Sequence, residues 1–314
     1  MLLGMFLDVG VSEKPAVWRA PMYVAGGCLD MMDCEEYNRK AGCFGTDFRA
    51  LNRFVMDHTL DCVVSDSKLS DSLKRSISGQ YVLLEGDDLD VPESKRSGIV
   101  KTIVSKKRSF EAASAYKVRK TCVLNFANNH SVGGSPWTAG AQEESICRTS
   151  TLYPCLKAAE KDFHIRHQHM YAKGEIGSMG NDDLIYTPKV CVFKSDESAP
   201  KMLDESDWFE VDVISAAAPQ LSYAGIPQSG RKDYERIMRS RIRRILDVAS
   251  KEGEEVLVLG AFGCGAFHNP PDIVAEVFRE SLADYDFGIV EFAVFCRDDA
   301  PDSNYEIFKK AFSK

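Results

Sequence analysis

The stretch SVGGSPWTAGAQEESICR, residues 131–148, brings two glycines and two adjacent carboxylates close together in the chain. Gly133 and Gly134 leave the backbone bare, and Glu143 and Glu144 follow a short way along. A carboxylate can give or take a proton in a reaction, and bare backbone N–H groups can bind an anion. The pattern therefore favours a small anionic ligand held against the backbone beside a reactive carboxylate.

An ordinary surface helix is the alternative interpretation of the same stretch. Glu144 and Arg148 are four residues apart, the spacing at which opposite charges pair on the exposed face of a helix. On this stretch alone the ion pair is the simpler interpretation. The choice depends on whether a second ligand-binding feature lies elsewhere in the chain.

A second glycine-rich loop supplies that feature. The apolar run 256–259 leads into GAFGCGAF, residues 260–267, and a helical pattern follows at 270–283. The free N–H groups and the dipole of a helix N-terminus favour a phosphate. The loop has neither the Gly-Lys-Ser/Thr of a Walker motif nor the spacing of GxGxxG. Two glycine loops at strand ends nevertheless favour a phosphate-bearing ligand, and with it a catalytic role for the glutamates.

The elements that must position these loops are alternating strands and helices. Most of the strand segments are near-continuous apolar runs, typical of strands buried on both faces. The predicted strands lie within 81–86, 101–105, 121–128, 185–194, 211–219, 254–263 and 287–296. Helical spacing recurs at 231–249 and at 270–283, the latter behind Asn269 as its predicted cap. We predict a three-layer α/β/α domain with a mostly parallel, mixed sheet and ligands beyond the carboxyl ends of the strands.

The first 78 residues differ in character from the rest. Residues 47–64 show a patchy helical period, and the serine-rich segment 65–78, SDSKLSDSLKRSIS, is typical of an exposed linker or surface loop. We therefore predict a mainly helical accessory extension at 1–78 and the catalytic domain at 79–314.

Composition limits the partners. The chain has 314 residues, 44% hydrophobic and 27% charged, and 39 Lys+Arg against 47 Asp+Glu give a net charge of −8. Proteins that bind duplex DNA or anionic membranes do so largely through their own basic residues, so neither is expected as a partner of this acidic chain. The opening MLLGMFLDVG lacks the basic start of a signal peptide, and the longest apolar run is too short to span a bilayer. We expect a cytoplasmic or nuclear protein.

The cysteines and histidines favour no metal site. No CxxC occurs, and the cysteines within apolar runs, Cys122, Cys191, Cys264 and Cys296, are predicted to be buried thiols. Three cysteines near the start, Cys28, Cys34 and Cys43, could pair with one another. No acid or cysteine stands at ligand spacing beside His164, His167 and His169, so HIRHQH is predicted to be a solvated turn.

The chain resembles the microbial-type poly(ADP-ribose) glycohydrolases, a branch of the macrodomain superfamily. Their signature is a glycine triplet followed six to eight residues later by Gln-Glu-Glu, which here reads Gly133-Gly134-Ser135 and then Gln142-Glu143-Glu144. Further similar segments occur in the same order: VLNFANNHSVGGS, DLIYTPKVCVFK, VISAAAPQ and VLGAFGCGAFHNPPDIVAEVF. The similarity runs from about residue 79 to the end. It departs at Ser135, which adds a side chain where the family has a third glycine.

The resemblance implies a macrodomain fold and a hydrolase that cleaves O-glycosidic bonds at the distal ribose of ADP-ribose. Glu144 would be the acid/base, and Glu143 would hold ribose hydroxyls. The implied ligand-binding residues are Asn128, Gly133, Gly134, Ser135, Gln142, Gly263, Cys264, Gly265, Ala266 and Phe267. Among them, Asn128 and Phe267 would contact the distal ribose, and 263–266 would wrap the diphosphate with backbone N–H groups. No metal or cofactor is needed.

The expected partner is ADP-ribose, or poly(ADP-ribose) on modified acceptors, bound by a monomer. Two other functions stay open: a macrodomain that reads ADP-ribose without cutting it, and a hydrolase of mono-ADP-ribosylated acceptors. A cysteine hydrolase acting through Cys264 is weaker, because no residue is placed to orient His268 as its base. A reader has no need of the adjacent glutamates, which favours the enzyme.

Overall fold

The computed structural model describes residues 32–91, 100–223, 225–226, 230–296, 300 and 303–313. These residues contain a seven-stranded sheet with the order β1-β4-β5-β3-β6-β7-β2. The strands are β1 (Tyr81–Leu83), β2 (Lys101–Ser105), β3 (Thr121–Phe126), β4 (Leu184–Val192), β5 (Phe209–Ala216), β6 (Val256–Leu259) and β7 (Ile289–Ala293). From β5 to β2 all neighbours are parallel, whereas β1 and β4 pair antiparallel at the other edge. Each predicted strand segment overlaps one of these strands, and β4 and β5 begin one and two residues before their predicted segments.

Helices cover both faces of the sheet, so the predicted three-layer architecture is confirmed. One face packs against α8 (Arg231–Lys251), α9 (Pro271–Leu282) and α10 (Asn304–Phe312). The other face packs against α4 (Ser109–Ala113), α5 (Gln142–Thr149), α6 (Leu152–Ala158) and the π-helical turn Lys161–Ile165, which continues into α7 (Arg166–Ala172). In the central β3, Cys122 and Leu124 face the first layer and Val123 faces the second. Both faces are therefore apolar, as the continuous apolar runs predict.

The N-terminal helices pack directly on this framework. They are α1 (Cys34–Gly42), α2 (Phe48–Ser65) and α3 (Ser67–Gly79). Lys194, buried beyond the end of β4, donates through Nζ to Thr59 Oγ1 at 2.7 Å and to the carbonyl oxygen of Val55 at 3.1 Å in α2. Residues 1–31 of the predicted extension, including the opening apolar stretch, lie outside the described residues.

The serine-rich segment 65–78 forms a helix, so the predicted linker is wrong. Asp66 caps α3 through bonds to two backbone N–H groups, and Leu69 is buried against β4. Ser76 and Ser72 face a bulge of β4, where both hydroxyls donate to the carbonyl oxygen of Lys189 at 2.9 and 3.3 Å. The serine hydroxyls therefore provide hydrogen bonds to a carbonyl oxygen that would pair with a neighbouring strand in a regular sheet. Because serine is small, α3 can approach β4 closely at this bulge.

The predicted cap of α9 is also wrong. Pro270 occupies the N-cap position and Pro271 begins the helix. Asn269 instead donates through Nδ2 to the carbonyl oxygens of Pro219 and Gly263 at 2.7 and 3.0 Å, and it accepts from the hydroxyl of Tyr234. Its side chain thus connects two loops through hydrogen bonds and does not cap the helix.

The histidines do not form a solvated turn. His164 and His167 are both buried, and burial lowers the pKa of His164 to about 4. His167 bridges the carbonyl oxygen of Phe163 and Oδ1 of Asn181 at 2.7 and 2.8 Å. Within the described part of the chain, no group of three His, Cys, Asp or Glu side chains is placed to hold a metal ion.

The cysteines of the described residues form no disulfide bonds. Cys122 and Cys191 are buried as predicted, whereas Cys264 and Cys296 are only partly buried. Cys34 and Cys43 are exposed and unpaired with each other, and Cys28 lies outside the described residues. No helix in the described ranges is both long and apolar enough to cross a membrane.

Candidate active site

A cleft of about 490 Å³ opens at the carboxyl edge of the sheet. Residues that follow β2, β3, β5, β6 and β7 all line it, which is where open α/β sheets bind ligands. The predicted site residues that line this cleft are Asn128, Gln142, Glu143, Glu144, Gly263, Gly265, Ala266 and Phe267. Gly134 and Ser135 line a second cavity of about 450 Å³. The two glycine loops and the two glutamates therefore meet in one region.

Glu144 is buried in the first turn of α5. Its Oε1 accepts a hydrogen bond from the backbone N–H of Ser135 at 3.1 Å. Its Oε2 is also buried and has no hydrogen-bond partner among the described residues. One carboxylate oxygen is thus bonded to the glycine loop, while the other has no partner among the described residues.

The glycine doublet makes room for the protein's own side chains. Gly134 has φ +66°, and a Cβ there would lie 2.3 Å from Oε1 of Glu144. Gly133 has φ +64°, and a Cβ there would lie 2.8 Å from the ring of Tyr153. Both glycines are therefore required before any ligand is considered. The sequence predicts bare backbone against a ligand, and the structure adds a close approach of that backbone to Glu144.

Glu143 is buried and held at both oxygens. Oε2 accepts from the backbone N–H of Asn128 at 2.8 Å, and Oε1 accepts from Nδ2 of Asn125 at 3.2 Å. Burial raises the pKa of Glu143 well above its usual value, although these two hydrogen bonds oppose the shift and nearby Glu144 adds to it. Glu143 is thus tied to the end of β3, whereas its neighbour keeps a free oxygen.

Gln142 and Asn128 shape the backbone around the cleft. Gln142 accepts from the N–H of Phe126 at 2.9 Å and donates to the carbonyl oxygen of Leu124 at 2.9 Å. Its side-chain amide thus pairs with backbone groups at the end of β3. Asn128 accepts at Oδ1 from the N–H groups of His130 and Ser131 at 2.8 and 2.9 Å. The predicted ligand contacts of these side chains stay predictions, and both side chains already serve the loop.

The loop after β6 offers backbone N–H groups to the cleft. Among the described residues, no acceptor pairs with the N–H groups of Gly263, Gly265, Ala266 and Phe267. The N–H of Cys264 differs, because it donates to the carbonyl oxygen of Ala261 at 3.0 Å. Successive free N–H groups of this kind form a concave anion site. Cys264, predicted to be one of the donors, is bonded within the turn instead.

The thiol of Cys264 is poorly placed for nucleophilic chemistry. It packs against the core formed by α8 and α9, and burial followed by the charge of Asp272 raises its pKa above the ordinary range. A reactive cysteine needs the opposite shift, because the thiolate is the nucleophile. The cysteine-hydrolase interpretation loses its support.

Phe267 lies between the core and the cleft, and its predicted contact with the distal ribose stays a prediction. Its ring is partly buried against the core and also lines the cleft. Its carbonyl oxygen accepts from the N–H of Leu221 at 2.9 Å, which ties the loop to the segment after β5. The ring is therefore rigidly placed at the wall of the cleft.

The surface ion pair between Glu144 and Arg148 does not form. Both side chains are buried, and Arg148 Nη1 donates instead to the carbonyl oxygens of Pro136 and Ala139 at 2.8 and 2.7 Å. The interpretation of the glutamates as part of a solvated helix face is therefore wrong.

Two further residues beside the cleft were not predicted from the sequence. The ring of Phe295, after β7, is 46% exposed, and the guanidinium of Arg108, after β2, lies 4.3 Å from its centre. Both line the cleft. Their position directly after predicted parallel strands is the signal that could have found them.

Comparison with known proteins agrees with this arrangement. A family model described as the catalytic domain of microbial-type PARG matches residues 63–195, a span that includes the glycine loop and both glutamates. A crystal structure of poly(ADP-ribose) glycohydrolase (PARG) from Deinococcus radiodurans in complex with ADP-ribose is 30% identical, with 76% of this chain and 96% of that chain covered and a TM-score of 0.64. The chain belongs to the microbial-type poly(ADP-ribose) glycohydrolase family.

Other members of the poly(ADP-ribose) glycohydrolase family have the same fold. A structure from Thermomonospora curvata, bound to the inhibitor ADP-HPD, is 25% identical, with 83% of this chain and 99% of that chain covered and a TM-score of 0.69. A further Deinococcus radiodurans complex with ADP-ribose is 28% identical over 77% of this chain and 96% of that chain, with a TM-score of 0.67. The search of curated protein sequences gave no match.

Proposed function

We propose that this protein is a poly(ADP-ribose) glycohydrolase that hydrolyses the O-glycosidic bond at the distal ribose and releases ADP-ribose. The observation that carries the proposal is the buried carboxylate of Glu144, with one oxygen fixed by Ser135 and the other free beside the anion-binding loop. The two Deinococcus radiodurans complexes with ADP-ribose support ADP-ribose as the group that occupies the cleft.

The different contacts of the two glutamates support a division of labour between them. Cleavage passes through an oxocarbenium-like state and needs a proton on the leaving oxygen and an activated water. Glu143 is tied to Asn128 and Asn125, so it holds the distal ribose in place. Glu144 has the free oxygen, so it protonates the leaving oxygen and then takes a proton from the attacking water.

The residues that line the cleft support binding positions for the other parts of ADP-ribose. The free N–H groups of Gly263, Gly265 and Ala266 bind the diphosphate, whose charge they can hold without basic side chains. Phe267 packs on the distal ribose. The exposed ring of Phe295, which the guanidinium of Arg108 contacts, supports the adenine by stacking.

The proposed substrate is the polymer on a modified acceptor, cleaved by a monomer in the cytoplasm or nucleus. The net charge of −8 disfavours duplex nucleic acid as a partner. Free exposed thiols at Cys34 and Cys43 suit a reducing compartment.

Glu144→Gln tests the mechanism. The amide keeps the shape but cannot exchange a proton at neutral pH, so ADP-ribose release from the polymer should fall by at least ~100-fold. Affinity for free ADP-ribose, measured by calorimetry, should change little, because that product no longer carries the bond to be cleaved. Undiminished turnover in this variant would contradict the role of Glu144.

The substrate is tested on the wild-type protein. Incubation with poly(ADP-ribose) and with mono-ADP-ribosylated acceptors, followed by identification of the product, should show ADP-ribose released from the polymer. Tight ADP-ribose binding without release from either substrate would make the protein a reader. Release from the mono-modified acceptors alone would make it an acceptor hydrolase.

A further inference from the structure

The loop between the glycine doublet and the glutamates, residues 136–139, is held from outside by the N-terminal helix α2. Asn52 donates through Nδ2 to the carbonyl oxygen of Ala139 at 3.0 Å. One turn and a half further along α2, Asp57 accepts from the indole Nε1 of Trp137 at 2.7 Å. Two side chains of one helix thus fix two points of a short loop.

The same loop is held from inside by helix α5. Arg148 is a buried cation, and its Nη1 donates to the carbonyl oxygens of Pro136 and Ala139 at 2.8 and 2.7 Å. The carbonyl oxygen of Ala139 therefore accepts from both helices at once. α2 is also joined to α5 directly, because Thr59 Oγ1 donates to the carbonyl oxygen of Arg148.

The position of this loop determines the position of Glu144. Ser135, which donates to Oε1 of Glu144, accepts at its own carbonyl oxygen from the N–H groups of Thr138 and Ala139 at 3.0 and 2.8 Å. The turn from 135 to 139 is therefore one closed unit. A shift of Ala139 moves the N–H that fixes the carboxylate.

We propose that α2 is part of the catalytic apparatus: Asn52, together with Asp57 and Arg148, positions the 135–139 turn and through it the carboxylate of Glu144. These are positioning residues, since none of them lies among the residues that line the cleft. The inference rests on the proposed function, and it predicts that a change outside the cleft alters the rate of the chemical step.

Asn52→Leu tests this inference, because it keeps the size of the side chain and removes the donor. A misplacement of a reactive group by about 1 Å can cost on the order of 100-fold in rate, so kcat for polymer hydrolysis should fall by about tenfold or more. KM and the affinity for free ADP-ribose should change by less than about twofold, because the anion-binding loop is not part of this contact. The kinetic constants and the affinity for ADP-ribose are measured on the full chain.

Asn38→Leu is the matched control. Asn38 lies in α1 and accepts through Oδ1 from the N–H of Met202 at 3.1 Å, so the substitution also removes a hydrogen bond between an asparagine side chain and the backbone, without touching the turn. The control should lower the melting temperature about as much as Asn52→Leu and leave kcat unchanged. Equal kcat values in the two variants would overturn the inference, because the contact would then only stabilise the fold.

Trp137→Phe provides a second route if Asn52→Leu does not fold. It removes the donor to Asp57 and keeps an aromatic ring beside Tyr153, so kcat should again fall while affinity for ADP-ribose holds; an unchanged kcat would count against the inference. A wild-type chain that releases no ADP-ribose overturns the proposed function itself. An active wild type with equally active Asn52→Leu overturns only the role of α2.

Discussion

At the scale of single residues, the glycines of the two loops serve different purposes. Gly134 is required by the fold, because its φ is positive and a Cβ would collide with Glu144. Gly265 has no positive φ, and a Cβ there would meet no protein atom within 4 Å. Neither a backbone angle nor a neighbouring atom explains Gly265, so we expect that its lack of a side chain leaves room for a ligand at the loop.

Gly265→Ala should therefore separate binding from folding. The melting temperature of the free protein should stay within about 1 °C of wild type, since only differences of several tenths of a kcal/mol are visible on this scale. The affinity for ADP-ribose should fall by about tenfold or more, which corresponds to about 1.4 kcal/mol of lost binding. Thermal unfolding and calorimetry measure the two effects on one sample.

Gly263→Ala is the contrasting variant. A Cβ there would lie 2.4 Å from Cβ of Ala218 and 2.5 Å from Nδ2 of Asn269, and φ is +72°. This substitution should lower the melting temperature of the free protein. If Gly265→Ala did the same, the loop would be constrained by the fold at both glycines, and the argument for a ligand would lose this support.

The site residues that the sequence revealed are those with a local signature. Adjacent glutamates and glycine loops can be recognised directly in the sequence. Arg148 and Asn125 cannot, because their hydrogen-bond partners are distant in the chain or lie on another element. The sequence offers Arg148 only as the partner of Glu144 in an alternative surface ion pair, because a helical spacing of four permits one. Burial of Arg148 rules out the surface ion pair, and whether a charged residue is buried depends on the whole fold.

At the scale of elements, α3 shows where composition misleads. Ser76 is fully buried and bonds to the carbonyl oxygen of Lys189, while Ser78 on the same helix is exposed. Ser76→Leu should destabilise the protein by about 1–3 kcal/mol, because the larger side chain has no room and Lys189 loses a donor. Ser78→Leu should be within about 0.5 kcal/mol of wild type. Urea unfolding of both variants checks the difference, and equal effects would contradict the packing of α3 on β4.

The strands were predictable because a buried strand needs a run of apolar residues wherever it occurs. Each of the seven segments contains such a run, and each forms a strand. The α3 segment is polar by composition, yet its leucines, Leu69 and Leu73, fall on one face and pack beside Phe193. A helix that meets a bulged edge through serines has few apolar residues, so its sequence is close to that of a linker.

At the scale of the whole molecule, the edge of the sheet opposite the cleft holds a second pair of buried carboxyls. Tyr186 donates to Oδ2 of Asp212 at 2.6 Å and contacts Oε1 of Glu254 at 3.2 Å. Burial, followed by the neighbouring Asp212, raises the pKa of Glu254 to about 9. Glu254 is therefore protonated in the folded protein at neutral pH, whereas it is ionised in the unfolded chain.

This pair should make the fold less stable at alkaline pH. The contribution of Glu254 is fully present below its ordinary pKa of 4.5 and is lost as the pH rises through about 9. Glu254→Gln keeps an uncharged donor, so its melting temperature should match wild type near pH 5 and exceed it by at least about 2 °C near pH 9. Glu255→Gln, an exposed neighbour with the same change in charge, is the control. A parallel pH profile in wild type and Glu254→Gln would show that Glu254 is not protonated in the fold.

The contact between Gly134 and Glu144 has an evolutionary consequence. With a Cβ only 2.3 Å from the carboxylate oxygen, no side chain can be gained at the glycine while the carboxylate keeps its place. We therefore expect the two positions to change together among homologous chains, and a lineage that loses the reaction to lose the constraint on both. A homologous chain with any larger residue at the glycine has displaced its carboxylate, even if the glutamate itself is still encoded.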